Sequence, residues 1–149
     1  MNTLKEIFSN QAIMAAFTAW AIAQLTKVLI DIIKNKKFNY ALLTSSGGWP
    51  SSHSSSVVAL STSIGLTDGF TSSTYAISLL FAIVVMYDAT GVRRAAGEQA
   101  GVLNNFSDFM QNLGFKTNKK LKELLGHSPV EVMSGAALGL LVALLFARI

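Results

Sequence analysis

The chain has no cysteine among its 149 residues, so disulfides, thiolate nucleophiles and cysteine metal sites are excluded at the outset. Its two histidines are too few for a dedicated zinc site, and neither a metal nor another cofactor is expected. Charge is scarce as well. Asp, Glu, Lys and Arg make up 13% of the residues against 51% hydrophobic ones, more apolar surface than a small soluble interior can hide. The net charge of +4 raises the question of nucleic acid, but aromatics interleaved with the cations are missing, and the cations flank apolar runs. No nucleic-acid partner is expected, and a lipid bilayer is. Lys5 and the run to Ala21-Ile22-Ala23 loosely imitate a cleavable leader, but the run continues past Ala23 and Glu6 interrupts its basic start, so it is read as a span.

What is present reads as one all-α domain over residues 1–149, an integral membrane helical bundle. About four transmembrane helices are expected, near 11–33, 54–66, 75–92 and 129–147, plus an interfacial amphipathic helix within 95–125. The second span, SSSVVALSTSIGL, is rich in Ser, Thr and Gly, which let helices approach closely in a membrane, and is placed at the bundle centre. The fourth begins with Pro129 in its first turn and carries GAALG, a small-xxx-small pattern suited to the same packing. So many small residues also suit a homo-oligomer. Val102, Leu103, Phe106, Phe109, Met110 and Leu113 recur at helical spacing against Glu98, Asn104, Asn105, Asp108 and Gln111, which defines the interfacial helix, with Gly114 ending it.

Alternating spans bring His53, Asp88, Arg93, Arg94 and His127 to one end of the bundle. Gln24, Lys27, Asp31 and Lys34, spaced three, four and three apart, form a polar stripe on the last turns of the first span and aim at the same end. That end also holds Lys36, Lys37, Lys116, Lys119, Lys120 and Lys122, whereas the other holds Lys5 and Arg148, so it is expected to face the cytoplasm from the cell membrane.

Both histidines stand at a helix start beside a proline, in PSSHS and GHSPVEV. Helix starts present unpaired N–H groups and a positive dipole end, which favour an anion. Two of them with Lys27, Lys34 and the arginine pair build an anion pocket at a membrane surface. His127 and Glu131 are four apart, so the carboxylate can hold one imidazole nitrogen and leave the other as a nucleophile, with His53 opposite to protonate a leaving oxygen. Asp88 is read equally as a structural partner of Arg93 or Arg94 and as a site residue.

These motifs, in this order, resemble those of the type-2 phosphatidic acid phosphatase and vanadium haloperoxidase superfamily, in a small divergent membrane branch. KVLIDIIKN is similar to the first motif, with Lys27 and Lys34 at its spacing but Lys for Arg and Asn35 for Pro. PSSH is similar to the second with Ser52 for Gly, and HSPVEV to part of the third with Glu131 for Asp. Leu121 stands where the third-motif arginine belongs, and Arg93 and Arg94 are the expected substitutes. The resemblance implies metal-independent phosphoryl transfer through a phosphohistidine on His127, with His53 as acid. Lys27, Lys34, Ser51, Ser52, Arg93 and Arg94 would hold the phosphate, and the substrate would be a lipid-phosphate or diphosphate. The alternative is a non-catalytic or transport-related membrane protein that binds anionic headgroups in the same pocket.

Overall fold

The computed structural model describes residues 2–36, 48–115, 121 and 126–148, and only the backbone of Asn2 and of residues 92–94. It forms α1 (Asn2–Ser9), α2 (Gln11–Asn35), α3 (Ser52–Asp68), α4 (Ser73–Thr90), α5 (Val92–Asn112) and α6 (Pro129–Phe146). Local chemistry sets most of the starts. Asn10, Ser51, Ser72 and Ser128 are extended N-cap residues whose side chains accept from the backbone N–H of Ile13, Ser54, Tyr75 and Glu131. Each satisfies a donor that its helix would otherwise leave unpaired. Gly114, at φ 91°, supplies the left-handed turn after α5.

By length and composition α2, α6 and the run from α4 into α5 could cross a membrane. The expected second span is different. α3 has 17 residues, about 25 Å of helix, and does not join that set; it lies inside, packed on α2, α4 and α6. The expected four apolar spans are thus three around a shorter hydroxyl-rich one. α1 was not expected at all, because its apolar residues Leu4, Ile7 and Phe8 precede the first long apolar run.

The seams are built from small residues. Ala15, Ala19 and Ala23 of α2 are fully buried, and Ser55 Oγ of α3 donates to the Ala19 carbonyl at 3.3 Å and to its own Ser52 carbonyl at 2.9 Å. On α6, a methyl group added at Gly135 or Gly139 would collide with the carbonyl oxygen of Ser51 or Ser55 respectively. The GAALG pattern is therefore the contact with α3. Between α3 and α4, Ser78 Oγ donates to Ser61 Oγ at 3.3 Å. The large apolar side chains point outward: Phe17 and Leu25 on α2, Ile77 and Leu80 on α4, Met133 and Leu145 on α6 are all exposed, as lipid-facing residues must be.

α5 follows α4 after Gly91 and, among the described helices, packs on α4 alone. Its polar face holds the buried Asn104, and its apolar stripe Val102, Leu103, Phe106, Phe109 and Leu113 is exposed. Most of the basic segment after it, including Lys116, Lys119, Lys120 and Lys122, lies outside the described residues, as does Lys37.

Candidate functional site

The site forms where the starts of α3 and α6 meet the ends of α2 and α4. The loop entering α3 passes Gly48, at φ 94°, and the cis Trp49–Pro50 peptide, and the Ser51 N–H then donates to the Glu131 carbonyl at 3.0 Å. That bond ties the first turn of α3 to the first turn of α6. Ser51 Oγ caps α3, accepting from Ser54 N–H at 3.3 Å and from Ser54 Oγ at 3.0 Å, and the residue is fully buried. Of the two serines expected near phosphate, Ser52 is thus the one whose hydroxyl meets a cation.

That cation is Lys27. It is 4% exposed, and its Nζ donates to Ser52 Oγ at 3.1 Å. A buried ammonium with a single hydroxyl partner among the described residues carries a large desolvation cost and is positioned to receive an anion. Lys27, Asp31, Lys34, Gly48, Trp49 and Glu131 line a cavity of about 290 Å³. The polar stripe of α2 therefore faces the site along its length, with Gln24 buried beneath it and Asp31 accepting from Asn35 Nδ2 at 2.6 Å.

His127 sits just outside α6, ahead of the N-cap residue Ser128, and not on the helix face itself. Its N–H donates to the Ala89 carbonyl at 3.0 Å, which anchors it to the end of α4, and it is 2% exposed. Nδ1 lies 3.1 Å from Glu131 Oε2, and the same oxygen accepts from the Ser128 N–H at 3.0 Å. Glu131 N–H in turn donates to Ser128 Oγ at 3.3 Å, completing a capping box. The helix cap therefore fixes the carboxylate, and the carboxylate fixes the imidazole. His127 Nε2 is buried and has no hydrogen-bond partner among the described residues.

His53 is in the first turn of α3, with its ring centroid 6.5 Å from that of His127 and the planes inclined at 59°. The rings are too far apart to bond each other and close enough to reach one group between them. His53 also lines a second cavity, about 320 Å³, with Val84, Val85, Asp88 and Ala89 of α4. Arg93 and Arg94 fall in the first turn of α5, next to this end of α4, and their side chains lie outside the described residues.

Leu121 is not among the residues that line either cavity of the site. Asn104 of α5 grips both its backbone groups, Nδ2 donating to the Leu121 carbonyl at 2.8 Å and Oδ1 accepting from the Leu121 N–H at 2.8 Å, while the leucine side chain is 49% exposed. Sequence reasoning did not foresee this clamp, nor the His127–Ala89 bond, since main-chain partners leave no mark on residue type. The capping box did leave one: Ser128 and Glu131 are spaced as Ser-x-x-Glu ahead of an apolar run.

An all-helical membrane protein, with two imidazoles from separate helix starts facing each other beside a buried lysine, is the class that fold and site define. The chain belongs to the Divergent PAP2 family, whose family model matches residues 8–142. It is similar to the uncharacterized membrane protein YuiD of Bacillus subtilis (strain 168), 44% identical over 153 residues that cover 95% of this chain and 97% of the relative. No solved structure matches it.

Proposed function

We propose that the protein is a membrane phosphatase that hydrolyses a phosphate monoester or diphosphate, lipid-linked, through a phosphohistidine. The observation that carries this is the imidazole pair at 6.5 Å, with His127 Nδ1 held by Glu131 and Nε2 left with no partner among the described residues. Nε2 of neutral His127 attacks phosphorus, the bond from phosphorus to the leaving oxygen breaks, and protonated His53 gives that oxygen its proton. Water, deprotonated by His53, then displaces the phosphoryl group as inorganic phosphate and restores both histidines. Lys27 and Ser52 meet the equatorial oxygens, with Lys34 and the arginine pair completing the charge, so that positioning and electrostatics supply the catalysis. Ser51 contributes by holding the α3 start, and Asp31, Gln24 and Asp88 by setting the field around the cations and His53.

On this reading the site faces the cytoplasm from the cell membrane, because the cations of the sequence crowd at that end. α5 lies in the interface with its apolar stripe toward lipid.

A second reading is favoured by one observation: the position where the superfamily has an arginine holds an outward-turned leucine clamped by Asn104. On that reading the pocket binds anionic headgroups without turnover. Phosphate release from lipid phosphates and diphosphates by the purified protein in detergent, with chelator, separates the two. His127→Ala is expected to abolish release and His53→Ala to lower it about 10²–10⁴-fold, both remaining folded. A wild type that binds vanadate but releases no phosphate from any substrate in the panel supports the second reading and ends the first.

A further inference from the structure

α3 packs on α2, α4 and α6, yet α2 and α4 make no packing contact with each other among the described residues. One face of α3 is therefore uncovered. His53, Ser56, Leu60 and Ile64, spaced three, four and four apart, follow a single line down that face, and each is partly exposed, as are Val58 and Thr62 on another face, whereas Ser55, Ala59 and Ser61 are buried. Three cavities open along the line. The first is the 320 Å³ space between His53 and Val84 and Val85. The second, about 340 Å³, lies at Ser56 and Leu60 against Phe17 and Trp20 of α2. The third, about 460 Å³, shares Leu60 and Ile13 with the second and ends among the polar Asn10, Gln11, Thr67 and Asp68.

We infer that this furrow holds the hydrocarbon tail of a lipid phosphate whose phosphate lies between His53 and His127. The inference rests on the phosphatase reading for its chemistry, and on the furrow's shape for its occupant. The furrow starts at the histidine that faces the leaving oxygen. Below Asp88 its walls are apolar except at Ser56, down to Ile64 and Ile13, and it opens sideways where the surrounding helix faces are exposed. From His53 to Ile64 the line is about 16 Å long at 1.5 Å per residue, close to one leaflet of a hydrocarbon core about 30 Å thick. Beyond Ile64 the polar end gives an apolar chain nothing to gain.

The placement also assigns the two products. The His53 ring lines the furrow's first cavity, and His127, bonded through its N–H to Ala89 of that cavity's wall and through Nδ1 to Glu131, is not among the residues lining it. The bond broken is the one between phosphorus and the oxygen of the tail-bearing alcohol. That oxygen takes the proton from His53 and leaves into the furrow, while the phosphoryl group stays on His127 Nε2. A soluble phosphate ester would leave the furrow unused.

Two measurements test the placement. In the first, Leu60→Trp fills the floor and Ile77→Trp, on the exposed face of α4, serves as control. Leu60→Trp is expected to lower kcat/KM for dipalmitoyl phosphatidic acid about tenfold or more while leaving dihexanoyl phosphatidic acid unchanged, and Ile77→Trp to change neither. Unchanged rates on the long-chain substrate, in a Leu60→Trp protein that still turns over the short-chain one, overturn the furrow without touching the phosphatase reading. The second needs no turnover and no variant. Wild type in nanodiscs is crosslinked to phosphatidic acid carrying a diazirine in its acyl chain. Adducts at Phe17, Trp20 and Leu60 are expected to be competed by plain phosphatidic acid and not by phosphatidylcholine, whereas adducts at Ile77 respond to both alike. Furrow adducts competed equally by both lipids, or absent, overturn the proposal. Headgroup-selective furrow adducts in a protein without phosphatase activity uphold the tail site and end the catalytic reading alone.

Discussion

α3 and α5 invert the relation between hydrophobicity and burial. α3 carries Ser51, Ser52, Ser54 and Ser55 at its start, all 1% exposed or less, and sits at the centre of the bundle. α5 has a clear apolar stripe, and Val102, Phe106 and Phe109 on it are 58% exposed or more. In water the arrangement would be unstable. In a bilayer the hydrocarbon already accommodates large side chains, so what draws helices together is close backbone approach and hydrogen bonds between small polar residues. Burial in this chain therefore reports smallness. It marks function only where the buried group is neither small nor readily satisfied, and Lys27 and His127 are the residues that meet that condition most plainly.

The largest effect expected from breaking this arrangement is at the α3–α6 seam. Gly139→Ala adds one methyl group against the Ser55 carbonyl and the Ala59 N–H, both of them backbone, so neither neighbour can rotate aside. A loss of about 1–3 kcal/mol is expected, read as a lower Tm and earlier aggregation in detergent. Because Ser55 sits one turn from Ser52, the same change should loosen the Lys27 contact and weaken vanadate binding. A Gly139→Ala protein as stable as wild type would mean that α3 and α6 do not approach as closely as the small residues allow.

Much of this was legible in the sequence. Five of the described helices, the central place of the Ser-rich span, the GAALG contact, the turn at Gly114 and the convergence of Lys27, His53, Asp88 and His127 follow from periodicity and from counting crossings. α3 was legible as a helix but not as an interior one falling short of a lipid-facing span, because composition gives hydrophobicity and not neighbours. The His127–Glu131 contact was read from a four-residue spacing on a helix. It exists, but through a capping box that places His127 outside the helix. Contacts through main-chain atoms, such as His127 to Ala89 and Asn104 to Leu121, could not be read at all, and neither could the furrow, which is defined by two helices that fail to meet.

A smaller effect is expected at the α2–α3 seam. Ser55→Ala leaves the backbone approach untouched but removes the hydroxyl that bridges the Ala19 and Ser52 carbonyls. Both carbonyls are still engaged in or near helical ladders, so the loss should be about 0.5–1.5 kcal/mol, less than at Gly139 and again visible as a shift in Tm. An equal or larger loss would mean that hydrogen bonds outweigh close approach in holding this bundle.

The smallest effect sharpens the comparison from the outside. Leu144 of α6 is 43% exposed, while Val142, two residues earlier on the same helix, is 4% exposed and belongs to the core with Ala19 and Ala59. If the outer face of α6 meets only lipid, Leu144→Ala exchanges one hydrocarbon contact for another and should change stability by no more than about 0.5 kcal/mol, whereas Val142→Ala should be felt. A loss at Leu144 of about 2–5 kcal/mol, the range for a leucine removed from a packed core, would show that protein covers this face. The described residues offer no further helix to do so, so a second copy is the covering surface to test. Tm measured across a dilution series then decides the matter, since stability drawn from association falls with protein concentration and stability drawn from lipid contact does not.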